Sequence, residues 1–273
     1  MDRKIIDLHN HLMNDESAIP EYEKVAEELG ISKIVFQGLE WPGVDFSRNS
    51  AIKKAINARP DLFVGFGGVN LWKKIKADRI DKLRDDGFTG LKFIVPPEPY
   101  HSERFYPYYE RAEKLKMPCL FHLGIVSARA TQHVRVDNNF MRPIYLDTIA
   151  RSFKDLTVIG AHLGNPWFEE ATMSARWNPN LFFDITGSTL KKKKPEYIGE
   201  LLWWSDTTEY KSPYWSSAWE QIVFGTDVPA HRMFDVVNDY ENLMNTLNIS
   251  EKLQNLVFYG TSANILRKAG VEI

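Results

Sequence analysis

Two histidines separated by one residue, in Asp7-Leu8-His9-Asn10-His11, close an apolar run near the N-terminus. On a strand, side chains alternate, so His9 and His11 face one side and can offer two imidazoles to a single ion. Two neutral imidazoles make half of a zinc-type site, with Zn–N distances of about 2.0–2.1 Å expected. Alone, the pair also fits two hydrogen-bonded surface histidines. Recurrence gives it weight: His122, His162 and Asp227 each stand at the end of a later apolar run. Four of the 7 histidines thus occupy strand-end positions, a distribution that unrelated structural histidines seldom produce. The one cysteine, Cys119, can form neither an internal disulfide nor a thiolate cluster. Any metal site must therefore use histidine and carboxylate.

The elements that must position these residues are eight short runs, 4–11, 33–38, 62–70, 90–95, 118–124, 156–164, 181–188 and 222–229. Their continuous Ile, Val and Phe content is that of parallel strands buried on both faces. Between them the spacing predicts helices. Tyr22, Val25, Ala26 and Leu29 share one face over 21–29, and Gly30 stops that helix. Further helices are predicted over 48–59, 73–86, 105–116 and 143–153, the first three halted by Pro60, Gly87 and Pro118. This alternation predicts an α/β fold, a distorted (β/α)8 TIM barrel forming a single domain over 1–273. A doubly wound open sheet is the alternative, but no glycine-rich phosphate loop follows the first run. Two loops exceed the usual connection, 124–141 and 189–221, the second holding Trp203, Trp204, Trp215 and Trp219. On a barrel, such loops are expected to shape a substrate pocket at the C-terminal face.

The ordered set resembles the amidohydrolase superfamily, specifically its amidohydrolase 2 branch of metal-dependent hydrolases and relatives of aminocarboxymuconate-semialdehyde decarboxylase. The motifs that carry it run almost the length of the chain: IIDLHNH, FHLG, LTVIGAHLGNPWFEEA, LFFDITGS, IVFGTDVP and YGTSANILRKAG. The resemblance implies metal ligation by His9, His11, His122 and Asp227, with Zn2+ the first candidate ion and Mn2+ the second. It places His162 beside the ion, where it would orient or polarise water or substrate. A divalent ion there lowers the pKa of bound water to about 7. As catalytic residues, Asp227 would take and pass on the proton of that water, and His162 would help to stabilise the oxyanion.

Lys92, in GLKFIV on the fourth run, has three readings. In two-metal members of the superfamily a strand-four lysine is carboxylated and bridges both ions, and FTGLKFIVP is similar to that strand in dihydroorotases. Modified in this way, Lys92 would leave His122 and His162 to hold a second ion; otherwise one ion is expected. The other readings are a free ammonium that binds a substrate carboxylate, and a lysine paired inside the barrel. Two similar families fit less well. PHP-type phosphoesterases need further ligands soon after the first strand, yet no histidine lies between His11 and His101. TatD-type DNases carry a glutamate where this chain has Lys92.

The loop after the fifth run holds Arg129, His133, Arg135 and Arg142. Guanidinium groups near a pocket mouth can grip a carboxylate or phosphate in bidentate fashion, and Arg142, opening the next helix, is the best placed. A solvated, salt-bridged loop is the alternative. Trp167 is expected to wall the site and touch substrate, and Trp41 and Trp72 could reach the same face, with ordinary packing as the alternative for all three. Lys191 to Lys194 is expected to be a solvated turn. Cys119 is expected to be a buried small apolar residue. His101 has no inferred role.

Composition sets the outer limits. Lys+Arg 34 against Asp+Glu 36 gives a net charge of −2, which argues against a protein that holds nucleic acid by neutralising phosphates. With 44% hydrophobic and 26% charged residues the chain is of globular type. No run approaches the roughly 20 apolar residues of a membrane span, and the N-terminus has no signal core, so a cytoplasmic setting is expected. The aromatics leave room for a homodimer interface. The expected function is metal-dependent hydrolysis of a small polar, carboxylated molecule at an amide, lactone or ester. The alternatives are non-oxidative decarboxylation of a carboxylated aromatic or muconate-type substrate, and a metal-free barrel that only binds.

Overall fold

The computed structural model describes residues 3–13, 15–205 and 212–273, without the side chains of Asp15, Arg129 and Ala130. Seven parallel strands follow one another in sequence order around the sheet: β1 (Ile5–Asn10), β2 (Ile31–Gln37), β3 (Phe63–Gly68), β4 (Gly90–Phe93), β5 (Cys119–Phe121), β6 (Val158–Gly160) and β7 (Leu181–Phe183). The eighth run forms no strand of its own. It is an extended segment, with Ile222 bridged to Phe183, that still closes the ring. The Val223 N–H donates to Phe183 O at 2.9 Å, and the Leu8 N–H to Phe224 O at 3.0 Å. Regular pairing is broken at this seam because the Phe224 N–H turns to Val257 O. The fold is the expected TIM barrel in one domain, distorted at this seam.

Helices separate the strands: α1 (Ile19–Leu29), α2 (Asn49–Ala58), α3 (Asp78–Asp85), α4 (Tyr106–Lys114), α5 (Ile144–Ser152) and α6 (Phe168–Trp177). In α1, Pro20 lies in the first turn and Tyr22, Val25 and Ala26 are buried. Gly30 ends it at φ 68°, a left-handed conformation that costs glycine little. The helix expected from 73 begins only at Asp78, because the Trp72 indole N–H donates to Val95 O and holds that turn against the next loop.

The chain from 189 to 221 is not one open loop. It contains α7 (Ser188–Lys192) and α8 (Pro195–Leu201), then a 3-10 turn over Ala218–Gln221 closed by a capping box between Ser217 and Glu220. Pro195 at the first turn and Ile198 and Leu202 four residues apart on the buried side explain α8. Lys191 and Lys192 end α7 rather than forming a turn, and the Lys193 ammonium lies 5.4 Å from the Phe168 and Tyr197 ring centres. The C-terminal part is α9 (Met233–Thr246), α10 (Glu251–Asn255), a π-helical turn over Leu256–Gly260, and α11 (Thr261–Lys268).

Alternation along the strands divides the core in two. Leu91, Phe93, Phe121, Val158 and Leu181 join the helices in an outer shell. Val35, Val64, Phe66, Leu120, Ile159, Phe182 and Val223 fill the barrel interior. Lys92 falls between Leu91 and Phe93 and so faces inward. The apolar interior layer is thus the floor on which the strand-end polar residues stand.

Candidate metal centre

The end of β1 is fastened to the eighth segment by buried polar contacts. Asp7 accepts from the Thr226 N–H at 3.0 Å, from Asn10 Nδ2 at 2.9 Å and from the Thr226 hydroxyl. Burial raises the Asp7 carboxyl to about 6, against the lowering by those hydrogen bonds. The N–H groups of Thr226 and Asp227 both donate to His9 O, at 3.1 and 2.9 Å. Gly225 permits the approach, since a Cβ there would stand 2.8 Å from that of His9. His9, His11 and Asp227 consequently leave adjacent pieces of backbone. Asp227 at φ 50° and His162 at φ 61° both hold left-handed backbone, a strain that collects at functional sites.

The ring nitrogens are then sorted by their partners. His11 Nδ1–H donates to Gln37 O at 3.0 Å, which leaves the Nε2 lone pair 3.6 Å from Asp227 Oδ1. His9 Nδ1–H donates to Asp184 Oδ2 at 2.8 Å, and His9 Nε2 lies 4.0 Å from the same Asp227 oxygen. His162 Nε2 is 4.0 Å from Asp227 Oδ2. Burial lowers His11 to about 3, pushes His122 well below its usual value and lowers His162, so these imidazoles are neutral at pH 7. Burial raises the Asp227 carboxyl, but the surrounding side chains, the Lys92 ammonium among them, outweigh it and hold it below the usual carboxylate range.

This arrangement sets His11 Nε2 and His9 Nε2 opposite the Asp227 carboxylate, with Lys92 Nζ also within 3.2 Å of His9 Nε2. Two ligands each about 2.1 Å from one ion can be up to about 4.2 Å apart, which covers the 3.6 and 4.0 Å separations of His11 and His9 from Asp227. The ligand atoms of His9, His11 and Asp227 all lie within 4.8 Å of one another, and the group fits a divalent ion. His122, expected as the fourth ligand, is not part of that group. Its ring lies 5.0 Å from that of His162, and its Nε2 is buried with no hydrogen-bond partner. The ligand atoms of a second group, His9, His162 and Asp184, lie equally close together. There, however, the Asp184 oxygens are already engaged by N–H and O–H donors.

Lys92 is 1% exposed, and its Nζ donates to His9 Nε2 at 3.2 Å. Burial lowers its ammonium to about 8, against the pull of Asp227 and Asp184. The arginine loop lies differently. Arg142 forms an ion pair with Glu170 at the start of α6, and its guanidinium carbon is 5.4 Å from the Trp167 ring centre. That pair ties α5 to α6 and meets the Arg142 charge within the protein. Trp167 caps α6, five residues after His162. Trp41 is buried with Leu39, Val44 and Val95, and Trp72 and Phe46 pack against them. Phe46 carries this apolar wall to His11, at 6.3 Å between ring centres. The Arg129 side chain lies outside the described residues.

The tryptophans of 203–219 belong to the other end of the molecule. Trp215 packs on Phe182 at 6.0 Å and, with Tyr259 and Val271, against the interior cluster. Trp203, Trp204 and Trp219 line a groove of about 870 Å³ with Leu247, Ile249 and Leu256. Residues 217–221 lead into the eighth segment, and Leu247 follows a helix running back from it, so this groove opens at the N-terminal end of the strands. The expectation that this loop shapes a C-terminal pocket is corrected for these tryptophans: α8 has already returned the chain across the barrel.

Sequence reading passed over Asp184, Thr186 and Gln37. Asp184 and Thr186 sit in LFFDITGS at the end of β7, where polar residues follow an apolar run just as they do at His9 and Asp227. That placement was the available signal.

Comparison with known proteins gives a consistent result. None of the curated proteins matches the chain. Among solved structures, a TIM-barrel protein from Bordetella bronchiseptica is similar at 17% identity and TM-score 0.71, with 98% of this chain and 99% of that one covered. A probable 2-pyrone-4,6-dicarboxylic acid hydrolase from Acinetobacter baumannii is 13% identical at TM-score 0.66, covering 98% and 100%. A 2,6-dihydroxybenzoate decarboxylase from Rhizobium is 13% identical at TM-score 0.66, covering 97% and 99%. At these identities the likeness is one of fold. The family model described as amidohydrolase matches residues 6–268, nearly the whole chain, and the protein therefore belongs to the amidohydrolase family, in its second branch.

Proposed function

We propose that the protein is a metal-dependent hydrolase that cleaves an amide, lactone or ester in a small polar substrate bearing a carboxylate. The observation that carries this reading is the meeting of His9 Nε2, His11 Nε2 and the Asp227 carboxylate within the span of one ion's ligands. Those three residues would hold one divalent ion, zinc first and manganese second, with His122 as a further donor. When bound, the ion supplies Lewis-acid polarisation and activates water near neutral pH. Asp227, at 22% side-chain exposure, is the member open to the mouth and is the base that takes the proton of water and returns it to the leaving group. His162 Nε2 faces the other Asp227 oxygen, where it can orient the substrate oxygen.

Lys92, beside His9 and in the field of Asp227, is the cation proposed for the substrate carboxylate, while the Arg142 charge is met by Glu170. Two of the solved relatives are named for carboxylated substrates, a pyrone dicarboxylic acid and a dihydroxybenzoate, which supports this substrate class. The latter keeps decarboxylation as a second reading, since an ammonium beside the ion suits either bond cleavage. A cytoplasmic setting goes with this reading, in which Cys119 stays a buried free thiol.

The test is a screen of carboxylated lactones, esters, amides and phenols with zinc- or manganese-loaded protein, following acid release and carbon dioxide separately. Metal-dependent acid release that chelator abolishes is expected. Carbon dioxide as the product would replace hydrolysis with decarboxylation, and turnover unaffected by chelator would overturn the metal role.

A further inference from the structure

We infer that Asp184 and Thr186 are positioning residues that set the tautomers of two imidazoles at once, so that the Nε2 lone pairs of both His9 and His162 face the centre. Asp184 is fully buried, and its two oxygens are divided between two tasks. Oδ2 accepts from His9 Nδ1–H at 2.8 Å. Oδ1 accepts from the His162 N–H at 2.9 Å, the Thr186 N–H at 3.0 Å and the Thr186 hydroxyl at 2.6 Å.

The chain of donors fixes the rest. An ionised carboxylate only accepts, so the Thr186 hydroxyl must spend its single proton on Asp184. Thr186 Oγ1 then has only lone pairs to offer His162 Nδ1, which lies 2.7 Å away. His162 Nδ1 must therefore carry the proton, and its Nε2 is left bare. His9 donates its Nδ1 proton directly to Asp184 Oδ2, and its Nε2 lone pair accepts from Lys92 Nζ. The backbone bonds from His162 and Thr186 to Oδ1 also hold the left-handed turn that brings the His162 ring into place.

The two oxygens make different predictions, because an amide cannot replace both. In Asp184→Asn, three donors claim the Oδ1 position, so the amide oxygen belongs there and the amide N–H group turns toward His9 Nδ1. His9 must then accept at Nδ1 and carry its proton on Nε2, where Lys92 Nζ, 3.2 Å away, has to turn from donor to acceptor by losing its own proton, while His162 is unchanged. Replacing a carboxylate by an amide beside an imidazole has this tautomer consequence in serine-protease triads. Thr186→Val does the converse: His162 loses the acceptor that selects Nδ1–H, and His9 is untouched. Thr186→Ser keeps the hydroxyl and should behave as the unaltered protein.

The experiment is long-range 1H–15N NMR of the histidine rings in metal-free protein, with zinc affinity measured alongside by chelator competition. Expected are a flipped His9 in Asp184→Asn, a changed His162 in Thr186→Val, and rescue in Thr186→Ser. Zinc affinity should fall about 10–100-fold in Asp184→Asn, the usual cost of losing a partner that orients a ligand. The zinc arm rests on the proposed ion, whereas the tautomer arm is read without metal, so the two can fail separately. A purely structural pair would leave both tautomers unchanged in variants that fold, and that result would overturn the inference. If Asp184→Asn does not fold, the Thr186→Val and Thr186→Ser pair still decides it.

Discussion

At the C-terminal end of the strands, His9, Lys92 and Asp184 are each no more than 1% exposed, yet every one is polar. At the opposite end, Trp203 is 68% exposed and the groove beside it holds about 870 Å³. One end has ionisable groups in close contact, and the other has room and apolar surface. Buried charge costs free energy unless each group is partnered, so a dense polar cluster is retained for what it can do. Open volume by itself involves no comparable cost. The contrast teaches that chemistry here is located by a buried cluster of ligand atoms rather than by an open hollow.

The sharpest way to break this contrast is Asp227→Asn. An amide cannot take the water proton, so turnover should fall about 10²–10⁴-fold while the circular dichroism spectrum is retained. Unaltered turnover would remove Asp227 from proton transfer. Lys92→Met probes the substrate anion next. Loss of a hydrogen bond to a charged group should raise KM for carboxylated substrates about 10–100-fold and leave neutral analogues nearly unchanged. An equal effect on both would assign Lys92 to folding.

A third expectation concerns pH and the metal-free protein. His11 is held near 3 in the folded state against an ordinary 6.5, and His122 and His162 are lowered in the same direction. Below pH 6.5 the unfolded chain binds protons that the folded protein refuses. Stability is therefore intact above 6.5 and falls as the pH drops toward 3, by up to about 1.4 kcal/mol per pH unit for each such group. Asp7, raised to about 6, works the opposite way between 6 and its ordinary 3.8 and offsets one of the three. The urea midpoint should thus decrease from pH 7.5 to 5.5, and a flat profile would mean that the histidines are protonated in the fold. The smallest effect is expected at the other end: Trp203→Ala should leave metal content and turnover within twofold. A larger change would mean that the two ends communicate.

Much of this was legible in the sequence. Parallel strands buried on both faces show as continuous apolar runs, and the strand ends of a barrel all deliver to one face. For that reason His9, His11, His162, Lys92 and Asp227 could be gathered from positions far apart in the chain. What could not be read depends on partners that only the fold brings near. Arg142 could be read either as a grip for an anion or as half of a salt bridge, and only the fold shows that Glu170, 28 residues later, meets its charge. The tryptophans of 203–219 looked like pocket residues because α8, which carries the chain away from that face, was hidden behind a basic run. Asp184 was passed over because one carboxylate in a strand-end motif gives no hint of the donors it will accept.

The most direct test is metal content and zinc or manganese affinity of protein purified without a histidine tag, measured beside His9→Ala/His11→Ala and Trp203→Ala. About one ion per chain is expected, lost in the histidine variant and kept in the tryptophan variant. No bound ion after incubation with either metal, or an ion that survives removal of both histidines, would contradict a metal centre built on the end of β1.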